Sequence, residues 1–200
     1  MPQNALIVFL KYPELGHAKT RLAKNIGDEK ALKVYLELLK HTNLITDKLS
    51  CDKFLYYDKS PGKTLDWGAG YATAFQKPGD LGERMKQAFA DVFALGYNKV
   101  IIIGSDCYEL NTEIIEQVFI DLDDKEAVVG PAKDGGYYLL GLKSQQDCLF
   151  ENIAWSTENV FQQSLAQLEE GQISYGIAPT LSDIDTLEDL PEALKQLINY

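Results

Sequence analysis

Short apolar runs alternate along the chain with longer segments in which apolar residues recur every three to four positions. Ala5–Leu10 and Lys99–Gly104 are apolar almost throughout, which predicts strands covered on both faces, as in a parallel sheet. Asp28–Leu49 has the helical period, and so has Asp80–Leu95, which Gly96 closes. This alternation predicts an α/β fold, a three-layer α/β/α sandwich.

The remaining elements follow from the same patterns. Further strands are predicted at Lys53–Tyr57, Ala72–Gln76, Ala127–Gly130, Tyr137–Leu142 and Ile173–Ile177, and further helices at Thr112–Leu122, Thr157–Glu169 and Thr186–Asn199. The connection between residues 130 and 137 is too short for a crossover helix, so the strand after it should run antiparallel. We therefore expect a mostly parallel mixed sheet with one antiparallel strand, in a single domain over residues 1–200.

Composition narrows the possible surroundings and partners. No apolar run approaches the roughly 20 residues that span a bilayer, and the N-terminus lacks a signal-peptide pattern. Three cysteines in no metal-type spacing suit a reducing cytoplasm better than a disulfide framework. The net charge of −11 argues against nucleic acid as a partner, because binding nucleic acid depends on neutralising phosphates.

The segment Gly104-Ser105-Asp106 follows the most apolar predicted strand. Ligands of open α/β sheets bind just beyond the carboxyl ends of such strands, and a carboxylate there can bind Mg²⁺ or Mn²⁺. Asp106 could instead cap the next helix, but Asn111 and Thr112 stand closer to its start and can do so themselves. We therefore favour the metal role for Asp106.

The loop Lys11–Arg21, directly after the first strand, carries Lys11, Lys19 and Arg21 in an otherwise acidic protein. A loop that leads into a helix N-terminus attracts phosphate, and these side chains would add positive charge. Its one glycine makes it neither a P-loop nor a dinucleotide fingerprint, so binding would depend on side chains. An ordinary connection with exposed charges explains the loop equally well.

Asp183 and Asp185 are two residues apart, so in extended chain they share a side and either could meet the cation opposite Asp106. A capping box is the stronger explanation from the residues alone, with Asp185 or Thr186 at the N-cap and Glu188 or Asp189 at N3.

A further segment, Gly130–Tyr138, contains Asp134, followed by Gly135 and Gly136, which would let the backbone approach a ligand. Asp134 could bind acceptor hydroxyls or close an Asp-Gly turn, and the turn is the commoner use. Trp155 could form a pocket wall, whereas Ser156 or Thr157 could simply cap a helix. The loop Lys63–Gly70, which includes Trp67, could cover the pocket.

Six motifs in order extend this picture to nearly the whole chain. They are Phe9–Leu22, Gly79–Met85, Gly104–Cys107, Gly130–Tyr138, Trp155–Thr157 and Asp183–Leu190. Together they resemble the bacterial family of nucleotide-diphospho-sugar transferases with a glycosyltransferase-A-like fold, which includes radical-SAM/selenodomain-associated transferases. Tyr108 stands where the family usually has proline. The loop Lys19–Leu22 is also similar to that of phospholactate guanylyltransferases.

The resemblance implies a divalent cation, Mg²⁺ or Mn²⁺, held by Asp106 and Asp185, and a nucleotide diphosphate above the strand ends. The expected residues are Asp106 and Asp134 for catalysis, Lys11, Lys19, Arg21, Gly104 and Ser105 for the nucleotide phosphates, and Gly135, Gly136 and Trp155 for the sugar or acceptor. The expected activity is a metal-dependent glycosyltransferase that uses a nucleoside diphosphate sugar and a small-molecule acceptor. The alternatives are a nucleotidyltransferase that joins a nucleoside triphosphate to a phosphorylated small molecule, and a non-catalytic nucleotide-binding module.

Overall fold

A seven-stranded sheet forms the centre of the computed structural model, which describes residues 4–60 and 65–200. The strands are β1 (Asn4–Leu10), β2 (Asp52–Tyr57), β3 (Tyr71–Phe75), β4 (Lys99–Gly104), β5 (Ala127–Pro131), β6 (Tyr137–Leu142) and β7 (Tyr175–Ile177). The helices are α1 (Thr20–Ile26), α2 (Asp28–Thr46), α3 (Leu81–Phe93), α4 (Thr112–Asp121), α5 (Val160–Glu170) and α6 (Glu192–Leu197), with a 3₁₀ turn at Asp147–Phe150.

The strand order is β3-β2-β1-β4-β6-β5-β7. Neighbouring strands are parallel except around β6, which runs antiparallel to both β4 and β5. The prediction of a mostly parallel mixed sheet with one antiparallel strand is therefore confirmed. The antiparallel turn arises, as expected, where only residues 132–136 connect β5 to β6.

Apolar residues cover both faces of the sheet and give three layers. In β1, Leu6 and Val8 face one core and Ala5 and Ile7 face the other, because successive side chains of a strand point in opposite directions. The first core is covered by α1, α2, α4 and α6, and the second by α3 and α5. Strands buried on both faces need apolar residues at every position, which explains the uninterrupted run in β4.

Two helix predictions need correction at their starts, and one short helix was not predicted. That helix is α1, which Gly27, with a φ of 83°, separates from α2, and α2 begins at Asp28 as predicted. The helix predicted at Thr157 begins at Val160. The helix predicted at Thr186 begins at Glu192, because the Asp189 carboxylate accepts hydrogen bonds from the backbone N–H groups of Asp185 and Thr186 and holds the chain in a loop.

The prediction that Trp67 helps to cover the pocket is wrong. Trp67 is 5% exposed and packs edge-on against Tyr71, with their ring centroids 5.4 Å apart, inside the core. Lys63 and Thr64, the first residues of that loop, lie outside the described residues. None of the helices that the structure describes is both long and apolar enough to cross a bilayer.

Candidate active site

The carboxyl ends of β1, β2 and β4 lie at one edge of the sheet, together with the start of the antiparallel β6. The segments that follow these strands, and the one that precedes β6, therefore meet above that edge. They enclose a cleft of about 620 Å³, a size that suits a small-molecule ligand. The sequence predicts eleven site residues and leaves Asp183 open as a twelfth. Eleven of these twelve residues line the cleft: Lys11, Lys19, Arg21, Gly104, Ser105, Asp106, Asp134, Gly136, Trp155, Asp183 and Asp185.

Asp106 is brought to Asp183 and Asp185 by backbone pairing. The backbone N–H of Ile184 donates to the carbonyl of Asp106 at 3.0 Å, and Cys107 forms an antiparallel bridge with Asp183. Asn111 caps α4 by accepting from the N–H of Ile114, as predicted. The Asp106 carboxylate is thus available to the cleft, and 43% of its side-chain surface is exposed there.

The Lys19 ammonium lies between the two carboxylates that were predicted to hold a cation. Its Nζ is 3.1 Å from Oδ2 of Asp106 and 3.2 Å from Oδ1 of Asp185. The side chain is only 3% exposed. Burial disfavours the ammonium, but the two carboxylates outweigh this effect and raise the pKa of Lys19. Lys19 therefore remains a cation at the point where the three side chains meet.

Lys19 is also the N-cap of α1 and adopts a left-handed conformation, with a φ of 53°. Such backbone is uncommon for a residue with a side chain and marks a position fixed by its surroundings. Two residues later, Arg21 extends Nη1 to Oδ2 of Asp185 at 3.3 Å. Both oxygens of Asp185 thus contact cationic side chains.

A buried tyrosine fixes the start of the first loop. The Tyr35 hydroxyl accepts from the backbone N–H of Lys11 and donates to its carbonyl, each at 2.9 Å, and it lies 3.3 Å from Oγ of Ser105. Burial raises the pKa of Tyr35, so it stays a neutral donor. Tyr35 joins the ends of β1 and β4, and no sequence pattern indicated this role, because the residue lies on an ordinary helix period.

Asp183 is the acidic residue whose environment opposes its charge most clearly. Burial raises its pKa from 3.8 to about 7, and the nearby carboxylates of Asp106, Asp134 and Asp185 add to the effect, while Lys19 opposes it. Of the two aspartates that the sequence left open, Asp185 is the one paired with Lys19, whereas burial is the main cause of the raised pKa of Asp183. More carboxylate side chains than lysine and arginine side chains line the cleft, so its negative charge is not fully neutralised.

We expect Asp183→Asn to stabilise the metal-free protein at pH 8. The folded-state pKa lies above the unfolded value, so Asp183 favours folding when protonated, and this contribution is lost as pH rises from about 4 through 7. The asparagine cannot ionise, and the gain at pH 8 should be on the order of 2 kcal/mol. Urea unfolding in EDTA at pH 5 and pH 8 measures it. Equal differences between variant and wild type at both pH values would contradict this assignment.

The opposite wall of the cleft is formed by the β5–β6 connection and the segment before α5. Oδ1 of Asp134 accepts from the N–H of Gly136 at 2.9 Å, so Asp134 does close the turn, while it also lines the cleft. Gly135 does not line the cleft, contrary to its predicted binding role. It adopts a φ of 89° and packs directly on the backbone of Glu158.

Trp155 lines the cleft, and its ring packs closely against α3. A Cβ atom at Gly82 would overlap the Trp155 indole, so the glycine makes room for the ring. Tyr137 meets the same ring edge-on, with centroids 6.3 Å apart. Thr157 does not cap α5 as predicted; its Oγ1 donates to the carbonyl of Ala154 and accepts from the N–H of Asn159.

A third part of the cleft, beside β2 and β3, was missed by sequence reasoning. Asp58 follows β2 as Asp106 follows β4, and its Oδ1 accepts from the N–H of Tyr12 at 2.7 Å. The Gln76 side chain donates to the carbonyl of Tyr56 and accepts from Nη1 of Arg84. The rule that ligand-binding residues follow parallel strands would have found Asp58, but no local signal joins Gln76 to Arg84.

The residues of the cleft fit a divalent cation whose coordination is completed by the substrate. Among the described residues, no three or more His, Cys, Asp or Glu side chains form a ready-made metal site. Asp106 and Asp185 nevertheless direct oxygens at one point, where a positive charge already lies. Mg²⁺ is commonly held by one or two carboxylates together with waters and substrate phosphates, and this donor set suits that mode of binding.

The sheet order and the cleft at its carboxyl edge define the α/β fold of nucleotide-diphospho-sugar transferases, as the structural comparison confirms. A protein of Desulfovibrio desulfuricans G20, named "putative nucleotide-diphospho-sugar transferase", superposes with a TM-score of 0.89 at 31% identity, over 94% of this chain and 85% of that one. Residues 42–157 match the family described as "Uncharacterized protein conserved in bacteria (DUF2064)". The chain belongs to this DUF2064 family.

Other relatives carry nucleotidyltransferase names. A 2-phospho-L-lactate guanylyltransferase of Methanocaldococcus vulcanius is 26% identical over 94% of this chain and 83% of its own length. The inositol-1-phosphate CTP transferase of T. maritima has a TM-score of 0.59 at 14% identity, over 99% of this chain and 95% of that one, and shows the shared fold alone. The prediction of a transferase is confirmed by the relatives from Desulfovibrio and Methanocaldococcus.

Proposed function

We propose that this protein is a metal-dependent transferase that moves a sugar from a nucleoside diphosphate sugar to a small-molecule acceptor. The observation that carries the proposal is the meeting of Lys19, Asp106 and Asp185 at the carboxyl edge of the sheet. This arrangement combines a fixed positive charge with two carboxylates, and Arg21 adds a second positive charge beside them. Such a combination suits a diphosphate that arrives with a divalent cation.

The diphosphate of the donor would lie between the first loop and Asp106. Lys19 and Arg21 are at the start of α1, and Lys11 lines the same side of the cleft. Transfer of a sugar leaves negative charge on the departing diphosphate, and preorganised cationic groups stabilise that charge as it forms. Tyr35 supports this arrangement by fixing the backbone of Lys11, while Gly104 and Ser105 form the floor beneath it.

Asp106 and Asp185 are the residues that would hold the Mg²⁺ or Mn²⁺ ion. When bound, the cation would neutralise charge on the diphosphate oxygens. The excess of carboxylates around Asp183 supports this assignment, because an added cation would relieve their mutual repulsion.

The sugar and the acceptor would occupy the wall formed by Asp134, Gly136 and Trp155. One carboxylate oxygen of Asp134 holds the turn, and the other can accept a hydrogen bond from an acceptor hydroxyl and orient it for attack. The nucleoside would lie at the other end of the cleft, beside Asp58, Gln76 and Arg84, where the donors and acceptors of a base can be matched.

Three unpaired thiols among the described residues agree with our expectation of a cytoplasmic protein.

Nucleotidyl transfer is the second candidate, and the guanylyltransferase names of the relatives from Methanocaldococcus favour it. The loop after β1 favours sugar transfer instead. Within residues 11–20 it has a single glycine, so it offers few of the closely spaced backbone N–H groups that cradle a triphosphate. The two reactions differ in the group that leaves.

A thermal-shift screen of nucleotide sugars and nucleoside triphosphates, each with and without Mn²⁺, tests the proposal first. We expect one nucleotide sugar and Mn²⁺ to stabilise the protein together by more than the sum of their separate effects. The products formed from the best ligand then decide the reaction. Release of a nucleoside diphosphate supports sugar transfer, release of pyrophosphate supports nucleotidyl transfer, and no joint stabilisation by any ligand contradicts both.

A further inference from the structure

The contacts of Lys19 bear on whether a divalent cation can bind in the cleft alone. Its ammonium lies within hydrogen-bonding distance of Oδ2 of Asp106 and Oδ1 of Asp185. The second oxygen of Asp185 contacts Arg21 at 3.3 Å. The two carboxylates that would hold the divalent cation are thus engaged by the protein's own cationic side chains.

We propose that Lys19 acts as an internal substitute for the divalent cation, and that the cation and the donor diphosphate therefore bind together rather than singly. This inference rests on the proposed function for the identity of the ligand. A cation that uses the same carboxylate oxygens must displace the ammonium, because two positive charges at one point repel each other strongly in a partly desolvated cleft. The ammonium can leave at low cost only when another anion receives it.

The incoming diphosphate provides that anion. The Lys19 side chain is 3% exposed, so its ammonium cannot simply turn into bulk water. Arg21, which contacts the second oxygen of Asp185, lines the same cleft and can receive the phosphate beside Lys19. When the diphosphate lies against Lys19 and Arg21, Lys19 moves from the carboxylates to the phosphate oxygens, and Asp106 and Asp185 become free for the cation.

Binding of Mn²⁺ to the whole chain, followed by the electron paramagnetic resonance signal of the free ion, tests this exchange without any turnover. We expect wild type to bind Mn²⁺ weakly alone and more tightly with UDP or GDP. Lys19→Met should bind Mn²⁺ alone at least about tenfold more tightly than wild type, because the competing charge is gone. The further gain on adding UDP or GDP should be smaller in the variant than in wild type.

Lys24→Met is the matched control, since Lys24 carries the same charge on α1 but is exposed, lies outside the cleft lining and forms no ion pair with Asp106 or Asp185 among the described contacts. Its affinity for Mn²⁺ alone should stay within about twofold of wild type, because an exposed charge outside the cleft is largely screened. If Lys19→Met shows no cooperative thermal transition, Lys19→Gln, which keeps a hydrogen-bond donor at the site, replaces it.

The two possible failures have different signatures. Lys19→Met or its replacement binding Mn²⁺ alone no more tightly than wild type would overturn the inference, whatever the nucleotides do. A wild-type chain in which neither UDP nor GDP promotes Mn²⁺ binding would count against the proposed function. A gain in Mn²⁺ affinity that appears equally in Lys24→Met would also overturn the inference, because it would reflect overall charge and not the position of Lys19.

Discussion

The Asp106→Asn variant is expected to lose the joint binding of Mn²⁺ and nucleotide while it keeps the fold. Asparagine preserves the shape of the side chain but removes the charge that would hold the cation, and a hard cation binds an amide oxygen much more weakly than a carboxylate. The backbone carbonyl of Asp106 still accepts from the N–H of Ile184, so the pairing that closes the site remains. We expect the affinity of the Mn²⁺–nucleotide pair to fall by about 100-fold or more.

Isothermal titration calorimetry with the best nucleotide from the thermal-shift screen, with and without Mn²⁺, measures this loss. Asp123→Asn is the matched control, because Asp123 pairs with Lys99 at the start of β4, at the opposite edge of the sheet. The control should bind as wild type does. An Asp106→Asn protein that retains Mn²⁺-dependent nucleotide binding would remove Asp106 from the metal site.

Replacement of Gly135 by alanine is expected to have the largest effect on stability. Gly135 has a φ of 89°, and a Cβ atom there would overlap the backbone of Glu158, which cannot move away as a flexible side chain could. The carbonyl of Gly135 also accepts from the N–H of Phe161 at 2.9 Å and so ties the β5–β6 connection to α5. We expect a loss of about 3 kcal/mol or more from strain and overlap together.

Gly96→Ala separates these two causes. Gly96 has nearly the same conformation, with a φ of 92°, but no atom lies within 4 Å of the added Cβ. It should cost only about 1 kcal/mol, the effect of the backbone conformation alone. Urea midpoints of the two variants, compared at equal m-values, give the difference. Equal losses in both variants would show that Gly135 and Glu158 do not pack as described.

Most of the sheet could be predicted because its strands are short and apolar and are separated by strong turn residues. Lys99–Gly104 and Tyr137–Leu142 begin and end where the pattern placed them, and the antiparallel direction of the second strand followed from the length of one connection. The last helix was predicted to begin too early, since the spacing of Leu187, Leu190 and Leu194 fits a helix. The hydrogen bonds of the Asp189 carboxylate hold residues 185–189 in a loop.

The site could be predicted only as far as single strand ends indicate it. Asp106 was found because it follows a buried parallel strand, and Lys19 because a basic loop follows the first strand. That the Lys19 ammonium lies between Asp106 and Asp185 depends on contacts across 166 residues of chain, which no local pattern encodes. The same is true of the Tyr35 hydroxyl, whose partners Lys11 and Ser105 come from two other segments.

No other measurement bears as closely on the shared cation site as a crystal structure of the wild-type protein grown with Mn²⁺ and the nucleotide selected by the screen. We expect an anomalous Mn²⁺ peak about 2.1 to 2.3 Å from carboxylate oxygens of Asp106 and Asp185, with the Lys19 ammonium moved onto the phosphates. A Mn²⁺ peak elsewhere in the cleft, or a bound nucleotide with Lys19 still between the two aspartates, would contradict it.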